Sequence, residues 1–376
     1  MRKKKGILIL AIIVVLIELL VCAYFVWEKA PDIATNKPET IEASPTETPV
    51  QTAAPAMEPT PEPTPTPIPE IAPQSARQDG VYTILLVGED QISGNTDTIL
   101  VGKIDTNNHK MDFVSIPRDT LLNMDGDMRK INCIYYKARA RGADAAHELV
   151  KKVTQIIGFE VDCYAITNLD AFIDTIDAIG GVDYYVNQEI WMDDVWQNLF
   201  TCLPVGMQHL DGYHAMCLVR YRAGYADADL GRINVQHDFL KTLAKQMISL
   251  GNIPNLPKVI DILTENLDTN LTASNIAFFI RQALMCSPED INFYTVPVVG
   301  KTLGEGISYA VIILYQWRDM LNAYLNPFSE PLTFENLDVM YNDYFGIGCT
   351  GEMQGAWYFV GLAEAEMAAA QQNYSW

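Results

Sequence analysis

Positive charge is scarce in this chain: 26 lysines and arginines stand against 47 aspartates and glutamates, a formal net charge of −21. So acidic a surface repels phosphate backbones, which argues against nonspecific DNA or RNA binding. Any phosphate chemistry must come from a local basic cluster working against the global charge. The seven cysteines form no CxxC and no Cys/His group at zinc-ligand spacing, which argues against a structural metal knuckle. Six of them lie outside the first apolar stretch, and their spacing fits either disulfide pairs or free buried thiols. No internal repeat is present. At 376 residues the chain suits one large domain or two small ones with accessory segments.

Arg2, Lys3, Lys4 and Lys5 precede an apolar run from Gly6 to Trp27. At ~1.5 Å per residue that run crosses a hydrocarbon core of ~30 Å. Cations before the run leave the N-terminus in the cytoplasm by the positive-inside rule. The reading is a cytoplasmic segment over residues 1–5, a single-pass transmembrane helix over 6–27 and an extracellular remainder. From Pro31 to Pro73 the chain carries 12 of its 20 prolines, interleaved with Thr, Glu and Ala. Such a segment has neither the apolar residues for a core nor the amide donors for a ladder. Residues 28–78 are therefore expected to be a disordered or polyproline II stalk holding a folded domain away from the bilayer.

β-rich runs at Val81–Val87, Thr98–Ile104 and Met111–Ile116 open the domain, the last two as a hairpin. Helical periodicity over Ala143–Ile157, a strand at Cys163–Asn168, and a helix at Leu169–Ile179 stopped by Gly180-Gly181 follow. Val182–Val186 and Ile291–Pro297 read as strands; Arg232–Leu250, Leu256–Leu263 and Ser274–Met285 read as helices. This alternation predicts an α/β, α+β layered fold over residues 79–328, a central mixed sheet covered by helices. Residues 329–376 read as an appended tail ending in a helix at Ala356–Gln372.

Three clusters at element ends carry chemistry. Asp90 follows the first strand and Asp97 opens the second, and such carboxylates suit Mg²⁺ or Mn²⁺ that also takes phosphate oxygens. Ordinary turn chemistry is the competing reading. In Ser115-Ile116-Pro117-Arg118-Asp119-Thr120, proline fixes the strand exit and presents Arg118, whose planar fork grips phosphate or else a nearby carboxylate. In the third cluster, Arg220 and Arg222 are two apart, which in extended chain puts both on one face. Gly231-Arg232 then opens a helix on which Arg232 and Gln236 share a face. Arginines converging on a helix N-terminus suit a phosphate or pyrophosphate.

In this order the clusters resemble the LytR-CpsA-Psr family of bacterial envelope phosphotransferases. The matches are Gly88 with Asp90, Asp97-Thr98, Ser115 to Asp119, Lys130-Ile131-Asn132, Gln208 to Gly212, Val219 to Arg222, and Asp229 to Arg232 with Gln236. The similarity covers about Val81 to Phe328. Two positions depart from the pattern: Asn95 stands where the family usually has Arg, and Val235 where it commonly has a basic residue. The resemblance implies transfer of a glycopolymer from a polyprenyl-pyrophosphate carrier to peptidoglycan, forming a phosphodiester. It also implies an apolar pocket between sheet and helices for the carrier tail, with Phe172, Ile176, Phe239, Leu243, Met247 and Phe278 as lining candidates. Asp97 would hold Mg²⁺ (or Mn²⁺) with Asp90, which would also orient or activate the acceptor hydroxyl. Arg118, Arg220, Arg222, Arg232 and Gln236 would bind pyrophosphate, with the Asn95 amide in place of the missing Arg. A noncatalytic polyprenyl-phosphate or wall-binding protein of the same family is the alternative that Asn95 favours.

Overall fold

The computed structural model describes residues 29–31, 76–90, 94–126, 128–195, 199–222, 224–225, 229–248, 255–303, 306–343 and 346–354. The membrane run at 6–27 and the terminal helix at Ala356–Gln372 lie outside them, as does nearly all of the Pro-rich segment. Among the described residues no helix is long and apolar enough to cross a membrane.

Strands β1 (Val81–Glu89), β2 (Thr96–Asp105) and β3 (Lys110–Ser115) form an antiparallel meander. Strand β4 (Cys163–Thr167) joins β1 in parallel, β10 (Ile291–Thr295) joins β3 in parallel, and the short β9 (Asp268–Thr269) closes the β4 edge. The result is a mixed six-stranded sheet in the order β10-β3-β2-β1-β4-β9.

Both faces of this sheet are buried, which explains strands that read as continuous apolar runs. On one face Leu85, Val87, Ile99, Val101 and Val114 pack under helices α1 (Cys133–Ala140), α2 (Ala145–Ile157) and α8 (Leu314–Met320). Helix α2 starts where the Asp144 side chain accepts from the His147 N–H and stops at Gly158, whose φ of 83° is open to glycine. On the other face Ile84, Ile104 and Met111 meet α5 (Asp229–Ile248) and α7 (Ala273–Met285). Helix α6 (Leu256–Asn266) packs against α7 through a small cluster of Ile260, Ile276 and Ala277.

A satellite unit built from α3 (Leu169–Ala178), the pairs β5–β8 (Val182–Val186 with Gly206–Leu210) and β6–β7 (Ile190–Asp194 with Leu199–Leu203), and α4 (Gly212–Arg220) has its own core around Phe239.

The chain after Phe328 is not an appendage. Strands β11 (Val298–Leu303), β12 (Ile307–Ile312), β13 (Met340–Asp343) and β14 (Gly346–Cys349) make a four-stranded sheet, and Leu332, Leu337 and Val339 enter the main core. The boundary expected at 328 therefore falls inside the fold. The six described cysteines outside the first apolar run are all free thiols.

Candidate functional site

The site grows from an irregularity in the sheet. Along β1–β2 the register runs Gly88 to Thr98 and then Glu89 to Thr96, so Asp97 has no partner across the ladder. It is the extra residue of a β-bulge, the device by which a strand re-aims one side chain. The loop that follows β1 is closed by the Asp90 N–H donating to the Asn95 carbonyl at 2.9 Å. The bulge turns the Asp97 carboxylate toward three arginines from three separate segments. Arg118 Nη1 donates to Oδ1 at 2.7 Å and Arg222 Nη2 donates to Oδ2 at 2.6 Å. Arg232 Nη2 donates to the Asp97 carbonyl at 3.0 Å, and its Nη1 lies 3.8 Å from Oδ2. Burial alone would raise the Asp97 carboxyl, but Arg118 first, then Arg222 and Arg232, hold it below the usual carboxylate range.

Arg232 is the unusual member: it sits in the first turn of α5 and is only 1% exposed. Burial pushes its guanidinium down to about 10, with Asp229 opposing that shift, so it stays protonated at neutral pH. Asp229, given no role by the sequence reading, lies 2.8 Å from Arg232 Nη2 and 3.1 Å from Arg118 Nε. Those angles are poor, for Asp229 Oδ1 and Arg118 Nε lack a true hydrogen bond, as do Arg222 Nε and Arg232 Nε and Nη1. Buried cationic donors without acceptors are costly unless an anion fills them. Gly231 permits this crowding, since a Cβ there would stand 2.4 Å from Tyr225 Cβ.

Arg220 and Arg222 do not share a strand. Arg220 is the last residue of α4, Tyr221 is its extended cap, and Arg222 follows. The reason is the Asp211 side chain, which accepts from the His214 N–H and starts a helix that the Val-Arg-Tyr-Arg alternation hides. The arginines consequently part: Arg222 goes to Asp97, while Arg220 Nη2 reaches Asp90 Oδ1 at 3.4 Å. Gln236, one turn after Arg232, donates to the Val219 carbonyl at 3.0 Å and so ties α5 to α4. Lys130 pairs with Asp119 at 2.9 Å, which leaves Arg118 to Asp97.

The charged cluster forms one end of a cavity of ≈ 520 Å³ between the sheet and α5–α7. Asp90, Asp97, Arg220, Arg232 and Gln236 line that end. Phe172, Phe239 and Leu243 line the apolar remainder, with Leu267, Leu271, Ile276 and Ile280 further along. Three expected wall residues are elsewhere. Ile176 is buried in the satellite core, Met247 packs on that core's edge, and Phe278 turns to Tyr82 while its neighbour Phe279 takes the wall. Periodicity marks an apolar helix face but does not tell the side facing a cavity from the side facing a core.

Among the described residues no three acidic, histidine or cysteine side chains form a metal cage. Both Asp97 oxygens take arginine donors and Asp90 faces Arg220, so a divalent cation on these two carboxylates would have to displace those pairs.

This sheet and its helices are those of a known group of cell-envelope proteins. The fold matches the crystal structure of Bacillus subtilis TagV at a TM-score of 0.55 and 26% identity, over 66% of this chain and 98% of that one. It also matches the Streptococcus agalactiae protein gbs0355 at a TM-score of 0.56 and 21% identity, over 65% and 86%. The chain belongs to the LytR_cpsA_psr family, whose model matches residues 46–323. In sequence it is 32% identical over 200 residues, half of each chain, to the polyisoprenyl-teichoic acid–peptidoglycan teichoic acid transferase TagV of B. subtilis. It is 29% identical over 232 residues to the regulatory protein MsrR of Staphylococcus aureus, covering 59% of this chain and 66% of MsrR. The cell wall biosynthesis protein LcpA of Corynebacterium glutamicum is 30% identical over 239 residues, 57% of this chain and 45% of LcpA. The chain thus spans about half to two-thirds of the curated relatives it matches.

Proposed function

We propose that this protein is a membrane-anchored phosphotransferase that moves a glycopolymer from a polyprenyl-pyrophosphate carrier to peptidoglycan. The observation that carries the reading is Arg232: a buried guanidinium with unfilled donors at the head of an apolar cavity. A polyprenyl tail suits the apolar walls, and a pyrophosphate suits donors now turned toward Asp97 and Asp229. The apolar run at 6–27 supplies the anchor, with the domain outside the membrane.

In the reaction, the acceptor hydroxyl oxygen attacks the glycan-side phosphorus, and the bond from that phosphorus to the bridging oxygen breaks. Polyprenyl phosphate leaves with the bridging oxygen, and a phosphodiester remains on the acceptor. Asp90 orients the hydroxyl and takes its proton. Arg118, Arg222 and Arg232 move their donors from the carboxylates to the phosphate oxygens and neutralise charge that grows on the leaving group. Asp97 and Asp90 would hold a divalent cation, whose chemistry there would be further charge neutralisation.

The second reading, a noncatalytic carrier- or wall-binding protein, is favoured by Asn95 in the loop beside Asp90. One assay separates the two: release of polyprenyl phosphate from a lipid-linked substrate with and without Mg²⁺. Metal-dependent release that is lost in Asp97→Ala supports the transferase. Binding of the carrier without release supports the alternative.

A further inference from the structure

One short piece upstream of the domain, Lys29 to Pro31, is described, and it is attached to α7. The Lys29 carbonyl accepts a 2.8 Å hydrogen bond from Asn275 Nδ2, and the Lys29 N–H donates to the Ser274 carbonyl at 3.4 Å. Asn275 is buried, and its Oδ1 accepts from the Thr272 N–H at 3.0 Å and from Thr272 Oγ1 at 2.6 Å, completing the cap of α7. One end of the amide therefore caps the helix and the other holds Lys29. The same stretch of chain builds the apolar end of the cavity, because Leu271 and Ile276 flank the cap and line the wall.

Lys29 stands two residues beyond Trp27, where the apolar run ends. An extended residue spans at most about 3.6 Å, so Lys29 lies within about 7 Å of the end of that run. We propose that the N-terminal end of α7 is a bilayer-docking surface, held there by Lys29, so that the apolar end of the cavity opens at the lipid and the Asp97 end faces away. A carrier would then slide its tail in from the membrane without crossing water. The inference rests on the membrane anchor of the proposed function, though not on catalysis.

The Pro-rich segment leaves from the domain at Pro31 and returns to it at Ala76, whose carbonyl accepts from the Ser329 N–H at 3.2 Å, while the Gln78 N–H donates to the Pro327 carbonyl at 2.9 Å.

The test uses the full chain in vesicles of phosphatidylcholine and phosphatidylglycerol. A benzophenone side chain is placed at Glu265, exposed at the end of α6, or at Tyr315, exposed on α8 across the sheet. Docking predicts about tenfold more lipid adduct at Glu265, since tethering raises the local lipid concentration there. Asn275→Asp keeps the capping oxygen and removes the donor to Lys29, and should bring Glu265 labelling down to the Tyr315 level. Inserting about twelve Gly and Ser residues between Trp27 and Glu28 should do the same without touching the folded domain. Equal labelling at the two positions in the unaltered chain overturns the proposal, as does labelling at Glu265 that neither variant lowers. Vesicle flotation reads the anchor separately. A chain that fails to float rejects the anchor itself, and with it this inference; one that floats with equal labelling rejects only the docking.

Discussion

At the Asp97 end of the cavity four arginines meet three carboxylates at 2.6–3.8 Å, whereas at the Leu271 end the walls are aliphatic and aromatic carbon. The apolar end gains affinity by area, roughly 25 cal/mol per Å² removed from water, and accepts any chain of suitable girth. The charged end works by positions, where each donor counts and each loss strands a partner. On the proposed function, selectivity for the phosphate group and tolerance for the lipid tail would thus belong to different walls of one space.

Substitutions should respect that division. Arg232→Ala removes the most buried cation of the described residues and leaves Asp229 with Arg118 alone, so a loss of about 3 kcal/mol in denaturant unfolding is expected, with carrier binding abolished. Native-like stability in that variant would break the comparison. Arg222→Ala should weaken polyprenyl-pyrophosphate binding by roughly tenfold to a hundredfold, the worth of one charged hydrogen bond at ~1.5–3 kcal/mol, and Arg222→Lys should recover only part, for want of a fork. Titration with a fluorescent lipid pyrophosphate measures both. Leu271→Ala should cost only about 1 kcal/mol of stability, because its wall already faces open space and little new cavity is made. The same change should weaken a long-tailed carrier and spare a short-tailed analogue.

The smallest effect is on acid stability. Asp97 is held below its unfolded value, so its contribution is complete above the unfolded pKa of ~3.9 and is lost as pH falls through the folded value. Melting temperatures of wild type and Asp97→Asn should therefore converge below about pH 4. A gap that persists undiminished at lower pH would remove Asp97 from the ion network.

Strands with one dominant period were legible. Val182–Val186 was read to the residue, and β1 to β4 came within two residues at either end. The elements that escaped owe their form to contacts rather than pattern. Helix α1 has no side-chain cap at Asn132, and α4 is started by one Asp and ends in alternating residues. The β11–β14 sheet is short and joins the rest through a bridge such as Thr120 to Ala310, which no local pattern announces. The site was legible as a set of residues and not as an arrangement. That Arg118, Arg222 and Arg232 share Asp97, with Arg220 going to Asp90, depends on where α4 stops.

The bulge in β2 leaves fold and chemistry loosely coupled. Thr96 and Thr98 already oppose Glu89 and Gly88, so a strand shortened by deleting Asp97 would close into an unbroken ladder. The same deletion would leave Arg118, Arg222 and Arg232 without the residue they share, so its cost would fall on the ion network and not on the ladder. Sheet pairing and charge network thus hang on different residues of one strand, and either can be altered while the other is watched.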